Sequence, residues 1–282
     1  MLIILTILYS IFLIIPSNNI EINFVDVGQG DCAHIKTSKG HNALIDCGGS
    51  EGSDYDVGKN ILLPYLLNNS NGVIDAIFIS HFHDDHAEGC IEIIKSLKVK
   101  KIFISPQNKE TLLLNMILSL AKEKSIPVIY VKNGDLIEID NAKFEILFNG
   151  SDLDSNIDLN NKSMIIKLIA HDTSILFTGD AERIEEELLL ENRHTRVRLN
   201  SDILKVGHHG SRSSTTADFL NIVSPKIAII SCGVDNKFKH PHSETIEKLD
   251  NYNAKIYRTD LSGEISLKVY PNNKIKIQRI VL

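Results

Sequence analysis

Ser80-His81-Phe82-His83-Asp84-Asp85-His86 sets three imidazoles and two carboxylates within six residues, directly after the apolar run 74–79. Imidazole and carboxylate are the ligand types that hold zinc or a similar divalent ion while leaving a coordination position open. At the end of an extended strand, His81 and His83 point to the same side and can share one ion. Asp85 and His86, beyond the turn, can then address a second. One or two histidines in a loop would read as a solvated surface. Four ligand-type residues at H-x-H-x-D-H spacing read as a metal site.

Other clusters support that reading. Seven of the 11 histidines fall in three groups, His81/His83/His86, His208/His209 and His240/His242. His34, His41, His171 and His194 are scattered and carry no assignment. Asp180 ends the apolar run 174–178 and precedes a helical pattern, so it is placed either to cap that helix or to bridge two cations. Beside the histidine clusters, bridging is the stronger reading. Ser211, Arg212, Ser213 and Ser214 offer hydroxyl and guanidinium donors for phosphate oxygens, or an N-cap run ahead of a helix over 216–222. Asp26, Asp31 and Asp46 read as braces of ligands or turns, with Asp31 the nearest to the site.

The elements that must position these groups are short apolar strands alternating with amphipathic helices. Strands are expected at 21–27, 32–37, 43–47, 75–79, 101–105 and 128–131. A second set follows at 144–148, 163–170, 174–178, 203–206, 226–231, 255–257, 264–270 and 274–282. Helices are expected at 57–67, kinked or broken by Pro64, and at 87–97, 109–124, 181–190 and 242–249. Every candidate ligand lies just past a strand. That pattern predicts an α/β (α+β) domain of two mixed sheets with helices outside, spanning residues 20–282, its ligand loops gathered along one edge.

Residues 1–16 are almost wholly apolar, short for a membrane span and suited to a signal peptide or membrane anchor. The expectation is a domain that works secreted or anchored outside the cytoplasmic membrane. A net charge of −6 provides no global field to attract nucleic acid. Local basic residues do crowd at Arg193, Arg196, Arg198, Lys205 and Arg212, with Lys237 and Lys239 ahead of His240. Cys32, Cys47, Cys90 and Cys232 show neither C-x-x-C pairing nor regular spacing, so no zinc knuckle or dense disulfide framework is implied.

Together these residues resemble the metallo-β-lactamase fold superfamily, whose H-x-H-x-D-H signature is matched at His81–His86. The resemblance is closer to one branch, the extracellular hydrolase domain of ComEC-type competence proteins and its free-standing relatives. It is carried by Phe24-Val25-Asp26-Val27-Gly28-Gln29-Gly30-Asp31, Leu44-Ile45-Asp46-Cys47-Gly48-Gly49 and Leu63-Pro64-Tyr65-Leu66. Thr178-Gly179-Asp180, Lys205-Val206-Gly207-His208-His209-Gly210-Ser211, His240-Pro241-His242 and Tyr257-Arg258-Thr259-Asp260 with Gly263 follow in order.

The resemblance implies an αββα sandwich and two divalent ions, zinc or manganese. Many ComEC-type domains carry Pro in place of His83, whereas this chain has the full set. The superfamily's third-motif histidine has no counterpart, because the corresponding stretch reads Asn160-Asn161-Lys162-Ser163. The resemblance then assigns His81, His83 and His208 to one metal, Asp85, His86 and His240 to the other, and Asp180 between them. His209 or His242 could exchange roles with their neighbours.

The chemistry so implied is hydrolysis, with phosphodiester cleavage, DNA included, as the leading form. Asp84 or His209 would protonate the leaving alkoxide, and Ser211, Arg212 and His242 would contact substrate. An esterase or amidase acting on lactams or phosphorylcholine esters is the second reading, and a metal-stabilised binding module without turnover the third. A nuclease calls for a basic groove built from the Arg193–Arg212 stretch and Lys237–Lys239. A small-molecule esterase calls for an enclosed apolar pocket.

Overall fold

The computed structural model describes residues 18–280 except 51, 53, 107–109, 152, 155 and 273. The apolar segment 1–16 expected to export or anchor the domain lies outside the described residues. Among those residues, no helix is long and apolar enough to cross a membrane.

Strands numbered in chain order form two large sheets among the described residues. The first runs β17 (Ile275–Ile280), β16 (Glu264–Val269), β1 (Ile20–Phe24), β2 (Ala33–Lys36), β3 (Asn42–Ile45), β5 (Ala76–Ile79), β7 (Ile102–Ile104) and β8 (Val128–Tyr130). The second runs β15 (Lys255–Arg258), β14 (Ile227–Ile230), β13 (Ile203–Lys205), β12 (Thr173–Phe177), β11 (Ile165–Ala170), β10 (Ala142–Phe148) and β9 (Leu136–Ile139). Two short strands, β4 (Val73–Ile74) and β6 (Lys98–Val99), pair in parallel beside the first.

The central strands read as unbroken apolar runs because both of their faces are covered. In β5, Ala76 and Phe78 point between the sheets, while Ile77 and Ile79 point to the outer helical layer. Phe78 stacks between Phe103 and Phe144, at centroid distances of 4.8 and 4.7 Å, and so joins the two sheets. Helices Leu63–Asn69, Gly89–Ser96 and Leu112–Glu123 cover the outer face of the first sheet through Leu66, Ile93 and Ile117. Arg183–Glu191, Ala217–Val223 and Ser243–Asn251 cover the second through Leu189, Leu220 and Leu249. Each such buried aliphatic side chain contributes about 1.5–3 kcal/mol of transfer free energy. Helix, sheet, sheet and helix are the four layers of an αββα sandwich.

Pro64 marks a break within the expected helix, from a π-helical turn to a separate α-helix. It stands in the first turn of the latter, where its missing N–H is not needed, after a π-helical turn over Gly58–Leu62. Some local details differ from the sequence pattern. The hairpin strand β9 went unread because its alternating residues are largely exposed. The segment after the histidine loop is two helices, Asp84–Ala87 and Gly89–Ser96, so the turn that carries Asp85 and His86 is itself helical.

Strands β3, β5, β7 and β8 are parallel neighbours, as are β12, β13, β14 and β15. In such sheets, loops at the carboxyl ends of the strands gather on one edge. Those loops carry Asp46, His81–His86, Asp180, His208–His209 and His240.

Candidate metal centre

Asp46 organises the first half of the site. Its backbone is left-handed, with φ of 59°, which turns the carboxylate back toward the end of β5. There it accepts hydrogen bonds from Ser80 N at 2.7 Å and Ser80 Oγ at 2.8 Å. His86 Nδ1 lies 2.9 Å from the same carboxylate. That contact keeps the proton on Nδ1 and leaves Nε2 as a free ligand atom. His81 is fully buried, its Nδ1 near Ser80 Oγ (3.1 Å) and Ser163 Oγ (3.4 Å), while its Nε2 lies 3.2 Å from His83 Nδ1. Burial and the neighbouring His86 push the His81 imidazole well below its ordinary pKa, toward the neutral, ligating form.

The second half comes from the other sheet. Gly179 has φ of +49°, and a Cβ there would lie 2.8 Å from Ser163 Oγ and 3.0 Å from Ser80 Cβ, so a glycine lets the two loops close together. Ser163 Oγ also accepts from Asp180 N at 3.0 Å, which fixes the Asp180 backbone. His208 and His209 are both left-handed, with φ of 47° and 51°. Consecutive non-glycine residues in that region are strained, and their rings are aimed by it. His208 Nδ1 lies 3.1 Å from Glu182 Oε1. His209 Nδ1 donates to Ser231 O at 3.0 Å and lies 3.3 Å from Asp31 Oδ1, so its Nε2 faces Asp85 at 3.2 Å. Asp31 in turn is paired with Lys205 Nζ at 2.6 Å.

The result is a concentration of buried acids around two buried imidazoles. Burial alone would raise Asp31, but Lys205 and His209 hold its carboxyl down to about 2. Burial would lower His209, yet Asp180 and Asp31 bring it up to about 10. Asp180 and Asp46 likewise outweigh burial at His86 and push that imidazole up. Each effect favours positive charge at the centre.

Single ligand atoms of Asp85, His86, Asp180 and His209 all lie within 4.8 Å of one another. His86 Nε2 and Asp180 Oδ1 are 3.1 Å apart, yet both are buried without a hydrogen-bond partner among the described residues. Two buried polar atoms that face a shared space without bonding each other fit a cation between them. The donor set, nitrogen and carboxylate oxygen, is that of zinc and its first-row neighbours.

A cavity of about 300 Å³ opens over this group. Of the expected residues, His83, Asp84, Asp85, Asp180, His208, His209 and His240 line it, with His81 and His86 buried alongside. His209, expected to serve as an acid, is the histidine brought to Asp85, His86 and Asp180. His240 stands farther out, its ring 6.2 Å from that of His209 and 5.4 Å from that of His208. Ser211, Arg212 and His242 do not line the cavity. Ser211 is buried against Ser213, Arg212 pairs with Glu244 at 3.3 Å, and His242 Nδ1 accepts from Arg212 N at 3.0 Å.

Gln29, Phe82, Asn160 and Phe238 also line the cavity and were not singled out from the sequence. Gln29 sits inside the Val-Gly-Gln-Gly-Asp run, and Lys205 ends an apolar strand where a lysine requires a buried partner. Both signals were present. Glu182 and Ser163 carry none, because their roles exist only across loops.

Comparison with known proteins agrees with this geometry. The family model described as the metallo-beta-lactamase superfamily matches residues 25–234. ComE operon protein 3 of Bacillus subtilis (strain 168) is 29% identical over 264 residues, covering 88% of this chain and 33% of that protein. Competence protein ComA of Neisseria gonorrhoeae is 28% identical over 272 residues, covering 94% of this chain and 34% of that protein. The chain thus spans about a third of the length of these relatives. Among solved structures, the metallo-beta-lactamase fold protein YhfI of Bacillus subtilis superposes with a TM-score of 0.58 at 10% identity, covering 89% of this chain and 99% of YhfI, a likeness of fold. The sandwich, the ordered ligand loops and the family match over most of its length lead to one conclusion: this chain belongs to the metallo-beta-lactamase superfamily.

Proposed function

We propose that the protein is a dinuclear metal-dependent phosphodiesterase. The reading rests on one observation above all, the convergence of Asp85, His86, Asp180 and His209 with two buried ligand atoms unsatisfied. In this reading Asp85, His86 and His209 hold one ion, His81, His83 and His208 the other, and Asp180 is shared. When bound, two such ions activate a water at neutral pH and neutralise charge that builds on a phosphoryl oxygen.

The chain's own groups do the rest. Asp46 and the Ser231 carbonyl fix the tautomers of His86 and His209, and Glu182 orients His208. His240 and Asn160 on the cavity wall offer hydrogen bonds to substrate oxygens. Asp84, exposed at the rim, is placed to pass a proton to a departing alkoxide.

Three of the arginines expected to line a groove are engaged with acids or line a cleft elsewhere. Arg198 pairs with Glu145, Arg212 with Glu244, and Arg196 lines a separate cleft with Glu187 and Asp218. That arrangement favours a small or single-stranded phosphodiester over extended duplex DNA. The names of the competence relatives are consistent with a nucleic-acid substrate, and an exported or anchored N-terminus would place the reaction outside the cytoplasmic membrane.

The test is hydrolysis of bis-p-nitrophenyl phosphate and of single- and double-stranded DNA by the full chain with Mn²⁺ or Zn²⁺, beside His83→Ala and Asp180→Asn. Metal-dependent cleavage lost in both variants is expected. Two bound metals with no cleavage would overturn the reading and direct the search to carboxylic esters, lactams and phosphorylcholine esters.

A further inference from the structure

A second cleft of about 440 Å³ adjoins the metal cavity and shares Gln29, Asp85 and Phe238 with it. Its walls are apolar, drawn from Val27, Tyr55, Val57, Ile61, Val234 and Phe238. Tyr55, Val234 and Phe238 are 50%, 69% and 39% exposed, a concentration of solvent-facing apolar surface directly beside the candidate centre. Gly28, Gly49 and Gly233 also line it, and Gly49 and Gly233 pack their backbones closely on Asp84 and Gln29, where a Cβ would lie 1.8 Å from Asp84 O and 2.8 Å from Gln29 N. Lys237 Nζ stands 4.7 Å from the Phe238 ring centroid at the same wall.

Gln29 joins the two spaces. Its Oε1 accepts from Gly233 N at 3.1 Å, which fixes the orientation of the amide. Its Nε2 is buried and has no acceptor among the described residues. A fixed, desolvated donor without an acceptor is unfavourable unless a ligand completes it. The residue lines both spaces.

We propose that this cleft is a nucleobase subsite. The base of a nucleotide whose phosphodiester lies among the histidines stacks on Tyr55 and Phe238, and Gln29 Nε2 donates to an oxygen of the same nucleotide. Stacking on aromatic side chains tolerates any base and is worth about ten- to a hundred-fold in affinity per base. A purely aliphatic ester would gain no stacking on Tyr55 or on the exposed part of Phe238, whose ring also stacks on His240 at 5.6 Å, and would leave the Gln29 donor unmatched. The inference rests on the phosphodiesterase reading and names its substrate class.

The experiment compares thymidine 5′-(p-nitrophenyl) phosphate with methyl p-nitrophenyl phosphate in the metal-loaded full chain. It also maps thymidine 5′-monophosphate and tetrathymidylate on the protein by saturation-transfer NMR. The expected kcat/KM ratio favours the thymidine ester by at least about ten-fold. That ratio falls several-fold in Tyr55→Ala and is retained in Tyr55→Phe. Saturation should be strongest on the base protons and weaken in Tyr55→Ala. Tighter uptake of tetrathymidylate assigns the base to a strand, and preference for the monophosphate assigns it to a free nucleotide. Either supports the subsite. Equal rates for the two esters, or saturation confined to the sugar, would overturn it while leaving the phosphodiesterase standing. Base saturation without cleavage of either ester would instead overturn the phosphodiesterase and keep the subsite.

Discussion

The Asp46 carboxylate lies 2.9 Å from His86 Nδ1, and that contact decides which ring nitrogen faces Asp180. It also ties β3 to the helix that follows β5, so the ligand is held by the fold and not by its own loop. Asp46→Asn should keep the fold and weaken metal binding about 10–100-fold, the usual cost of losing such a partner. Competition against a chromogenic chelator measures it. An unchanged affinity would mean that the tautomer of His86 is set elsewhere.

Lys205 and Asp31 form a buried ion pair, 2.6 Å apart and under His209. Removing the cation strands a carboxylate in the interior. Lys205→Met should therefore destabilise the protein by about 3–5 kcal/mol. The double change Lys205→Met with Asp31→Leu should recover much of that loss. Urea unfolding of the three proteins gives the comparison.

Gly49 packs so closely on the histidine loop that even a methyl group meets the Asp84 carbonyl. Neither backbone can yield alone. Gly49→Ala should cost about 1–3 kcal/mol by overpacking and lower metal affinity at the same time, because Asp84 precedes the proposed ligand Asp85. Thermal unfolding and metal titration should move together. A loss of stability with full metal affinity would show that the loop relaxes independently.

Glu264 opens β16 and is largely buried. Burial and the nearby Glu21 raise its carboxyl from 4.5 to about 7. A carboxyl with a raised pKa binds its proton more tightly in the folded state, so stability is greatest below pH 4.5 as far as this group is concerned. It falls as pH rises from 4.5 through about 7 and then levels off. After allowing for solvent screening, Glu264→Gln should be more stable than the natural protein by about 1–2 kcal/mol at pH 8. The two should converge near pH 4.5. Unfolding midpoints across that range check the sign.

The fold was legible because its strands are apolar on both faces and bounded by turns, and that pattern is local. The histidine loop was legible for the same reason, since H-x-H-x-D-H is a spacing within one turn. The choice between His209 and His240 was not. It depends on left-handed backbone at His208 and His209, which no side-chain pattern encodes. The bracing pair Asp31–Lys205 spans 174 residues, so each residue by itself looks like an ordinary loop acid or strand lysine. Arg198 and Arg212 looked like parts of one basic patch along the chain and are each paired with an acid, Glu145 and Glu244. Ser211, Arg212 and His242 followed the ligands in sequence and turn away from the cavity in the fold.

The most direct test of the paired centre is an anomalous-difference map from crystals of the full chain grown with zinc. Two peaks about 3.5–4 Å apart are expected, with Asp180 between them and His209, not His240, on the peak shared with Asp85 and His86. A single peak, or a pair that Asp180 does not touch, would contradict the account.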